Sequence, residues 1–460
     1  MGYFDYTREP RSDIAFIDMK SFYASVECVE RGLHPLKTSL CVMSRADNSA
    51  GLILASSPIF KKVFGKSNVG RAYDLPFDVQ TRKFSYYNAK KQGLSTDPEY
   101  VRFIEDWAKV TFIVPPRMDE YIAVNMEIQG IFQNYGSPND IYPYSIDEGF
   151  IDLSSSLNYF VPDKQLSRKQ KLDLISARIQ RDIWRQTGIY STVGMSNANP
   201  LLAKLALDNE AKKTSTMRAN WSYEDVENKV WSIPKMTDFW GIGKRMEKRF
   251  NTLGIHSIKD LANANPDILK KELGVAGLRL WFHANGIDES NVHKPYKPKS
   301  KGLGNSQVLP RDYFRQRDIE IVLREMAEQV AIRLRKIGKK ATVVSIHLGY
   351  SKHENKRSTN TQMRIEPTNN TDMLTNYVLK LFHNKYTSGA IRSVAVNYSG
   401  FDDVEQIEKE ERLQTAIDSI RDQFGFTSLL KANALDGASR SIARSRLIGG
   451  HSAGGLDGLK

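Results

Sequence analysis

Two short acidic stretches of this sequence have the residue types that bind divalent cations. The first contains the adjacent acids Asp147 and Glu148, which lie among β-forming residues in 144–153 and just before Gly149. We expect a hairpin here, with both acids near its bend and the glycine at the reversal. Two carboxylates this close repel each other unless a cation lies between them. An isolated Asp-Glu pair, however, is commonly only part of a solvated surface turn.

The second stretch places a lone acid at the end of a predicted strand. Residues 14–19 are mostly apolar and include Asp18, and Ser21 is a suitable cap for a helix that begins at Phe22. If the end of this strand lies beside the hairpin, Asp18 would lie close to Asp147 and Glu148, and the three would form a carboxylate cluster. Mg²⁺ prefers such oxygen ligands and usually keeps waters and substrate phosphates as the others. The chemistry that fits is two-metal phosphoryl or nucleotidyl transfer.

Together the two stretches resemble the palm signature of the Y-family, translesion DNA polymerases, and most nearly the bacterial UmuC-like subgroup. The matching residues are Phe-Ile-Asp-Met-Lys-Ser-Phe-Tyr-Ala at 16–24 and Ser-Ile-Asp-Glu-Gly-Phe-Ile-Asp-Leu at 145–153. The resemblance implies an α+β multidomain fold with a ferredoxin-like palm, small fingers, a helical thumb and a C-terminal α+β little-finger domain. The implied activity is low-fidelity, template-directed DNA synthesis past lesions, as part of DNA repair and the SOS response.

The resemblance also implies which residues form the catalytic centre. Asp18, Asp147 and Glu148 would be the catalytic carboxylates and would hold two Mg²⁺ ions, with the Met19 carbonyl as a further ligand. The ions would serve transfer from a dNTP to a primer 3′-hydroxyl.

The nucleotide site implied by the resemblance follows the first acid. Backbone amides near Phe22 and Tyr23 would meet the triphosphate, and the Tyr23 ring would be the steric gate against ribose. Lys62 matches the basic position of the fingers helix, although Ile59 stands where relatives have a tyrosine. Lys212 is the expected triphosphate ligand, and Lys213 is its alternative, because the spacing before them is one residue longer than usual.

A glycine-rich turn in the second half of the chain is a candidate DNA contact. Gly241 and Gly243 precede the basic residues Lys244 and Arg245, as in a helix-hairpin-helix that grips DNA phosphates. A lone Gly-x-Gly is weak evidence, but the basic residues and the position after a palm strengthen it.

These features divide the chain into six expected regions. They are a palm (1–24 and 110–215), fingers with an extended return segment (25–109), a thumb with the helix-hairpin-helix (216–290), a linker (291–300), a little finger (301–401) and a C-terminal tail (402–460). We expect residues 110–117 to form a palm strand and the helix at 119–135 to turn Ile122, Met126 and Phe132 to the core. We expect the tail to contain an amphipathic helix with Leu413, Ile417, Ile420 and Phe424 and to be partly disordered.

The net charge of +13 over 460 residues suits a polyanionic partner. Sixteen Lys or Arg against six Asp or Glu lie between Lys297 and Arg364. We therefore expect primer-template DNA and dNTP as partners, and a sliding clamp or an SOS accessory protein remains open. The sequence has no membrane-length apolar run, and Cys28 and Cys41 fit reduced thiols, so we expect a cytoplasmic, nucleoid-associated protein.

Two other functions remain compatible with the acidic stretches. A different two-metal palm enzyme, such as a nucleotide cyclase, would use similar acids on a free triphosphate. A non-catalytic DNA-binding relative would keep the palm without its activity. The basic segment disfavours the first, and the intact acids disfavour the second.

Overall fold

The computed structural model of the chain describes residues 4–44, 51–65, 70–294, 302–403 and 409–454. The chain divides into two compact units, an N-terminal unit (Met1–Pro295 with Ser452–Lys460) and a C-terminal unit (Tyr296–His451). Within the described residues, no helix has both the length and the apolar character that a membrane crossing requires.

The N-terminal unit contains a five-stranded and a three-stranded sheet. In chain order, its strands are β1 (Ile14–Met19), β2 (Leu40–Met43), β3 (Ile53–Ser56), β4 (Phe112–Val114), β5 (Ile141–Pro143), β6 (Glu148–Asp152), β7 (Ser191–Ser196) and β8 (Arg218–Asn220). Its helices are α1 (Phe22–Glu30), α2 (Pro58–Phe64), α3 (Tyr86–Gln92), α4 (Pro98–Val110), α5 (Met118–Phe132), α6 (Leu157–Phe160), α7 (Arg168–Thr187), α8 (Pro200–Asn209), α9 (Lys244–Thr252), α10 (Ile258–Asn263) and α11 (Pro266–Ala284).

The larger sheet has the order β5-β6-β1-β7-β8 and is antiparallel except between β7 and β8. Because side chains alternate along a strand, Ile14, Phe16 and Asp18 lie on one face of β1. Helix α8 covers this face, where its Ala203 and Leu207 join Ile14 and Phe16 in a buried cluster. The central strand thus carries an acid on the face that α8 covers, and the sheet is the ferredoxin-like palm expected from the sequence.

Helix α8 approaches β7 unusually closely at Gly194. A Cβ atom at Gly194 would lie 2.0 Å from the Ala203 carbonyl oxygen and 2.5 Å from the Leu207 nitrogen. The helix starts sharply, since the Asn199 side chain accepts a hydrogen bond from the Leu202 amide at 3.0 Å. Only glycine permits this separation between strand and helix, so residue 194 sets how near the side chains of α8 come to the end of β1.

The smaller sheet has the order β3-β2-β4, and β4 runs parallel to β2. The strand predicted within 110–117 therefore exists, but it pairs in the fingers sheet and not in the palm sheet. The segment 75–109, expected to be only an extended return, forms α3 and α4 and contributes to the fingers core. Its buried side chains include Leu75, Phe77, Phe84 and Ile104, which pack with Phe60 and Phe64 of α2.

Two predictions about buried residues have different outcomes. Cys28 and Cys41 are free and buried, as expected. Helix α5 buries Phe132 as expected, but Ile122 and Met126 are exposed, and Tyr121 and Ile128 face the core instead. Tyr121 has a large side chain that fills the core. The spacing of apolar residues alone did not identify it as a core residue.

Helices α9, α10 and α11 form the thumb around a separate core. Phe239, Ile242, Phe250 and Trp281 are buried there, together with Leu202 of α8. The thumb is therefore packed onto the helix that covers the palm sheet.

The C-terminal unit has the order strand, helix, strand, strand, helix, strand, as the little-finger resemblance predicted. Its elements are β9 (Gly302–Tyr313), α12 (Gln316–Lys336), β10 (Lys339–Tyr350), β11 (Thr359–Thr368), α13 (Thr371–Lys385) and β12 (Ile391–Asp403). The sheet order is β11-β10-β12-β9, and one face of it packs on both helices through a common apolar core.

The expected partial disorder of the tail stays a prediction, because 404–408 and 455–460 lie outside the described residues. The described residues 409–454 have regular structure. They include α14 (Lys409–Phe424), α15 (Ser441–Ser445), β13 (Leu447–Ile448) and β14 (His451–Ser452). Helix α14 is attached by its charged side, since Arg335 Nε donates to Asp418 at 2.7 Å and Arg421 pairs with Glu328 at 3.0 Å. Its apolar side chains Leu413, Ile420 and Phe424 are exposed.

We predict that Gly194→Ala lowers the free energy of unfolding by about 1–3 kcal/mol, the usual cost of overpacking a close contact. Urea unfolding followed by circular dichroism measures it. Gly130→Ala in α5 is the matched control, because a Cβ there meets nothing within 4 Å. That control should be neutral or stabilising by up to about 1 kcal/mol, and equal stability of the two variants would contradict the packing argument.

Candidate active site

The strand register brings the three predicted carboxylates together. Asp18 lies directly opposite Glu148 across the β1–β6 pair and opposite Thr192 across the β1–β7 pair. The Met19 amide donates a hydrogen bond to the carbonyl oxygen of Asp147 at 2.9 Å. Because directly opposed strand residues are near neighbours, residues far apart in the chain meet at one end of the sheet.

The acidic hairpin forms as predicted, but its glycine has another role. The turn lies at 144–147, where the amides of Tyr144 and Ser145 both donate to the Glu148 carbonyl at 3.0 Å. Gly149 is inside β6, opposite Pro143, and a Cβ there would lie 3.2 Å from the ring of Phe132. Gly149 therefore leaves room for the Phe132 ring of α5 and is not part of the hairpin turn.

The residue between β1 and α1 is also held differently from the prediction. Ser21 has φ 51° and ψ 50° and makes no capping hydrogen bond, although α1 does begin at Phe22. The Ser21 hydroxyl instead accepts a hydrogen bond from Lys61 Nζ at 3.1 Å. This left-handed conformation is uncommon for a serine, and it lies in the turn between the end of β1 and the start of α1.

Tyr23 is fixed by a stack of contacts behind it. Its ring lies parallel to that of Tyr121, with 4.2 Å between centroids. The Tyr121 hydroxyl donates to Glu27 at 2.7 Å, and the fully buried Glu27 carboxylate also accepts from Arg117 Nε at 3.0 Å. The position of the Tyr23 ring therefore depends on residues of α1 and α5 that lie behind it.

A cavity of about 680 Å³ opens beside these groups. The predicted site residues that line it are Asp18, Met19, Phe22, Tyr23, Asp147 and Lys212. Glu148 and Lys62 are not among its lining residues, and Lys61 is. Successive helix residues point about 100° apart, so only one of the two lysines of α2 can face the cavity, and the expectation of Lys62 is not met by the geometry.

Two lysines in and after α8 neutralise the carboxylates. Lys204 Nζ lies 2.9 Å from Glu148 and 3.3 Å from Asp208. Lys212 Nζ lies 3.2 Å from Asp18 and 2.9 Å from Asp208. Lys213 does not line the cavity, so the geometry favours Lys212 of the two alternatives.

Sequence reasoning assigned no role to Lys204 and Asp208. Lys204 is almost buried, and its ammonium also lies 4.5 Å from the ring centroid of Phe16. The available signal was the spacing of four residues between Lys204, Asp208 and Lys212, which places successive charges along one side of a helix.

Burial and the closeness of like charges shift the pKa values of several groups in the site. Burial, with Asp147 and Glu148 nearby, raises the pKa of Asp18 to about 6, although Lys212 opposes the shift. Burial also raises the pKa of Asp147, against the hydrogen bond from Ser145. On the opposite wall, burial lowers the pKa of Lys61. A cation bound among the acids would relieve the repulsion between them.

The donor atoms suit a hard divalent cation. All three side chains offer carboxylate oxygens, which Mg²⁺ and similar ions prefer. Within the described residues, no cluster of three His, Cys, Asp or Glu side chains is arranged around a metal position. The reason is that Glu148 is turned to Lys204, Asp18 to Lys212, and Asp147 to the Ser145 hydroxyl at 2.7 Å. The ligand types therefore fit, and two ammonium groups balance part of their charge.

The predicted DNA-contact residues lie together at the start of α9. Gly241 has φ 94°, and Gly243 is the N-terminal cap residue of the helix. Lys244 and Arg245, in the first turn, are exposed. The amides at this helix end point outward beside two cations, which is an arrangement that binds phosphate.

Models of one protein family match most of the chain. The impB/mucB/samB family matches residues 17–208, and its C-terminal domain matches residues 300–414. The HHH motif of the same family, named IMS, matches residues 223–255. These three matches cover the palm and fingers, the thumb turn and the C-terminal unit.

Curated relatives align along nearly the whole chain. The putative UV-damage repair protein UvrX of Bacillus subtilis (strain 168) is 35% identical over 457 residues, which is 97% of this chain and 99% of the relative. DNA polymerase IV 2 of the same organism is 31% identical, covering 95% of this chain and 98% of the relative.

A solved structure shares the fold. The Y-family DNA polymerase chimera Dbh-Dpo4(243-245)-Dbh superposes with a TM-score of 0.59 at 18% identity, covering 85% of this chain and 100% of that chain. The order of sheets and helices described above is therefore that of a known polymerase fold.

Proposed function

This chain belongs to the impB/mucB/samB family and is a translesion DNA polymerase of the Y family, and we propose that Asp18, Asp147 and Glu148 are its catalytic carboxylates. The observation that carries this proposal is the cross-strand pairing of Asp18 with Glu148 beside the cavity. The substrates are a DNA template with its primer and dNTPs. A nucleotide cyclase would not account for the family matches over all three regions, and the intact acids Asp18, Asp147 and Glu148 argue against a non-catalytic relative.

Members of this family depend on divalent metal, and we infer two Mg²⁺ ions held by Asp18, Asp147 and Glu148, with the Met19 carbonyl as a further ligand. When bound, such ions promote attack by the primer 3′-hydroxyl and neutralise the departing pyrophosphate. The raised pKa values of Asp18 and Asp147 support this placement, because burial, with a smaller contribution from the neighbouring carboxylates, disfavours their negative charge and bound cations would offset that cost.

The lysines around the acids would work in two ways. Lys61 and Lys212, both on the cavity wall, would neutralise the triphosphate with amides near Phe22 and Tyr23. Lys204 lies behind Glu148 and would hold its carboxylate in position. Lys61 replaces Lys62 in this proposal because of its hydrogen bond to Ser21 and its place on the cavity wall.

Tyr23 would exclude ribonucleotides. Its ring lines the cavity next to Asp18 and is supported from behind by Tyr121. A rigid ring at this place would collide with a ribose 2′-hydroxyl. Small residues on the opposite wall, Ala55 and Ser56, leave room for damaged bases and so support low fidelity.

The DNA grip would involve the thumb turn and the C-terminal unit. Gly241 and Gly243, with Lys244 and Arg245, would hold a DNA phosphate at the start of α9. The positive segment from Lys297 to Arg364 would add contacts that weaken with salt. The proposed domains are those expected from the sequence, except that β4 belongs to the fingers. Recruitment by a sliding clamp or an SOS accessory protein is a further proposal.

We predict that Asp147→Asn abolishes primer extension but leaves primer-template binding within about twofold, because it removes a metal ligand and no DNA contact. Gel-based extension and fluorescence anisotropy measure the two properties. Asp106→Asn is the matched control, since Asp106 forms only an exposed pair with Lys109. Normal turnover by Asp147→Asn would reject the assignment.

We predict that Tyr23→Ala increases ribonucleotide incorporation by at least about tenfold relative to dNTP, because about 1.4 kcal/mol of steric discrimination corresponds to that factor. Competition between rNTP and dNTP in single-nucleotide extension measures it. Tyr23→Phe keeps the ring and should keep the selectivity. Unchanged sugar discrimination in the alanine variant would show that another residue is the gate.

We predict that Lys61→Ala raises the KM for dNTP about tenfold, whereas Lys62→Ala changes it less than about twofold, since a charge-assisted hydrogen bond contributes about 1.5–3 kcal/mol. Steady-state kinetics on one primer-template gives both values. The two variants are adjacent and chemically identical, so they control for each other. A larger effect at Lys62 would restore the assignment made from the sequence.

A further inference from the structure

Helix α3 presents two tyrosines to solvent on a surface that the catalytic centre does not use. Tyr86 is 60% exposed and Tyr87 is 80% exposed. Lys90 and Lys91 follow one helical turn later and are also exposed, and residues four apart lie side by side on a helix. We call Tyr86, Tyr87, Lys90 and Lys91 the α3 surface. It is a short aromatic and basic strip.

The backbone of α3 is firmly held on its inner side. Ala89 is fully buried in the fingers core, and the Asn88 side-chain amide donates to the Leu75 carbonyl at 2.9 Å. Ser85 caps the helix by accepting from the Asn88 amide. The fingers core that contains Ala89 also contains Ile53 of β3, the strand that lines the cavity. The α3 surface is thus built on the same small domain as one wall of the cavity.

Neighbouring rings restrict the exposed side chains further. The ring of Tyr86 meets the buried Phe84 edge to face, with 5.0 Å between centroids. Lys91 Nζ lies 5.4 Å from the ring centroid of Tyr73, which is itself exposed. Rings restricted in this way lose little conformational freedom when a ligand stacks on them.

The charged residues within the segment that carries these rings are all positive, while Glu105 of α4 accepts a hydrogen bond from the Phe84 amide at 3.0 Å. Residues 82–92 contain Arg82, Lys83, Lys90 and Lys91 and no Asp or Glu. Arg82 is engaged with the carbonyl oxygens of Ala108 and Thr111, so the three lysines supply the exposed charge. Aromatic faces beside positive charge are the combination that holds single-stranded nucleic acid.

We propose that the α3 surface binds single-stranded DNA, namely the unpaired template strand beyond the primer end. This rests on the proposed polymerase function, which supplies such a strand. Tyr86 and Tyr87 would stack on unpaired bases, while Lys83, Lys90 and Lys91 would contact the phosphates. A duplex offers no free base faces to these rings, which is why the single strand is the favoured ligand.

The test measures binding without nucleotide, using the full-length chain and two labelled DNAs of equal duplex length, one blunt and one with a 5′ thymidine overhang. Fluorescence anisotropy gives the ratio of their affinities. We expect the overhang to increase the affinity of the wild type, and Tyr86→Ala/Tyr87→Ala to reduce this advantage about tenfold or more, with blunt duplex binding unchanged. Tyr86→Phe/Tyr87→Phe should keep the advantage.

Tyr159→Ala is the matched control, because Tyr159 is 82% exposed in α6, outside the α3 surface. Lys90→Gln/Lys91→Gln gives a second measurement, and it should lower the salt dependence of overhang binding. An unchanged overhang advantage in the double alanine variant, an equal loss on blunt duplex, or an unchanged salt dependence in the glutamine variant would each overturn the proposal. Asp147→Asn should keep the overhang advantage whatever its extension activity, so failure of this proposal is distinguishable from failure of the catalytic assignment.

Discussion

The fold places the carboxylates of Asp18 and Glu148 close together, and the rest of the site depends on how their repulsion is offset. Antiparallel pairing of β1 with β6 places Asp18 opposite Glu148 in a partly buried position, where two negative charges are costly without positive partners. Lys204 and Lys212 supply those partners, and both bond to Asp208. In the proposed active site, a bound divalent cation would offset the same repulsion.

The two lysines that pair directly with Asp18 and Glu148 lie on α8 and the turn after it. The helix can reach these acids only because Gly194 lets it lie almost against β7. Its other side joins the thumb core through Leu202. One helix therefore carries a lysine that pairs with Glu148 and also packs into the thumb core.

The palm sheet and the closeness of Asp18 to Glu148 could be predicted from the sequence, because two long motifs resemble those of a known family and strand pairing then brings them together. The catalytic roles of the carboxylates and the DNA contact of the thumb turn stay predictions. The sequence was insufficient where tertiary packing decides the direction of a side chain. Lys61 and Lys62 are adjacent cations of one helix, and only the fold determines which faces the cavity. Ser21 does not cap α1, because its backbone is left-handed in the turn after β1 and its hydroxyl is bonded to Lys61. Helix α14 has the predicted amphipathic pattern, but Arg335 and Glu328 of α12 draw its charged face inward, and nothing local to α14 shows that.

The contacts behind Tyr23 have a consequence for how this polymerase can diverge. The ring is supported by Tyr121, whose hydroxyl bonds to the fully buried Glu27, and Glu27 also accepts from Arg117. None of these three supporting residues lines the cavity. If Tyr23 is the gate, substitutions of these supporting residues would change the tilt of its ring. Relatives would then differ in how readily they accept RNA precursors even when all residues that touch the incoming nucleotide are identical.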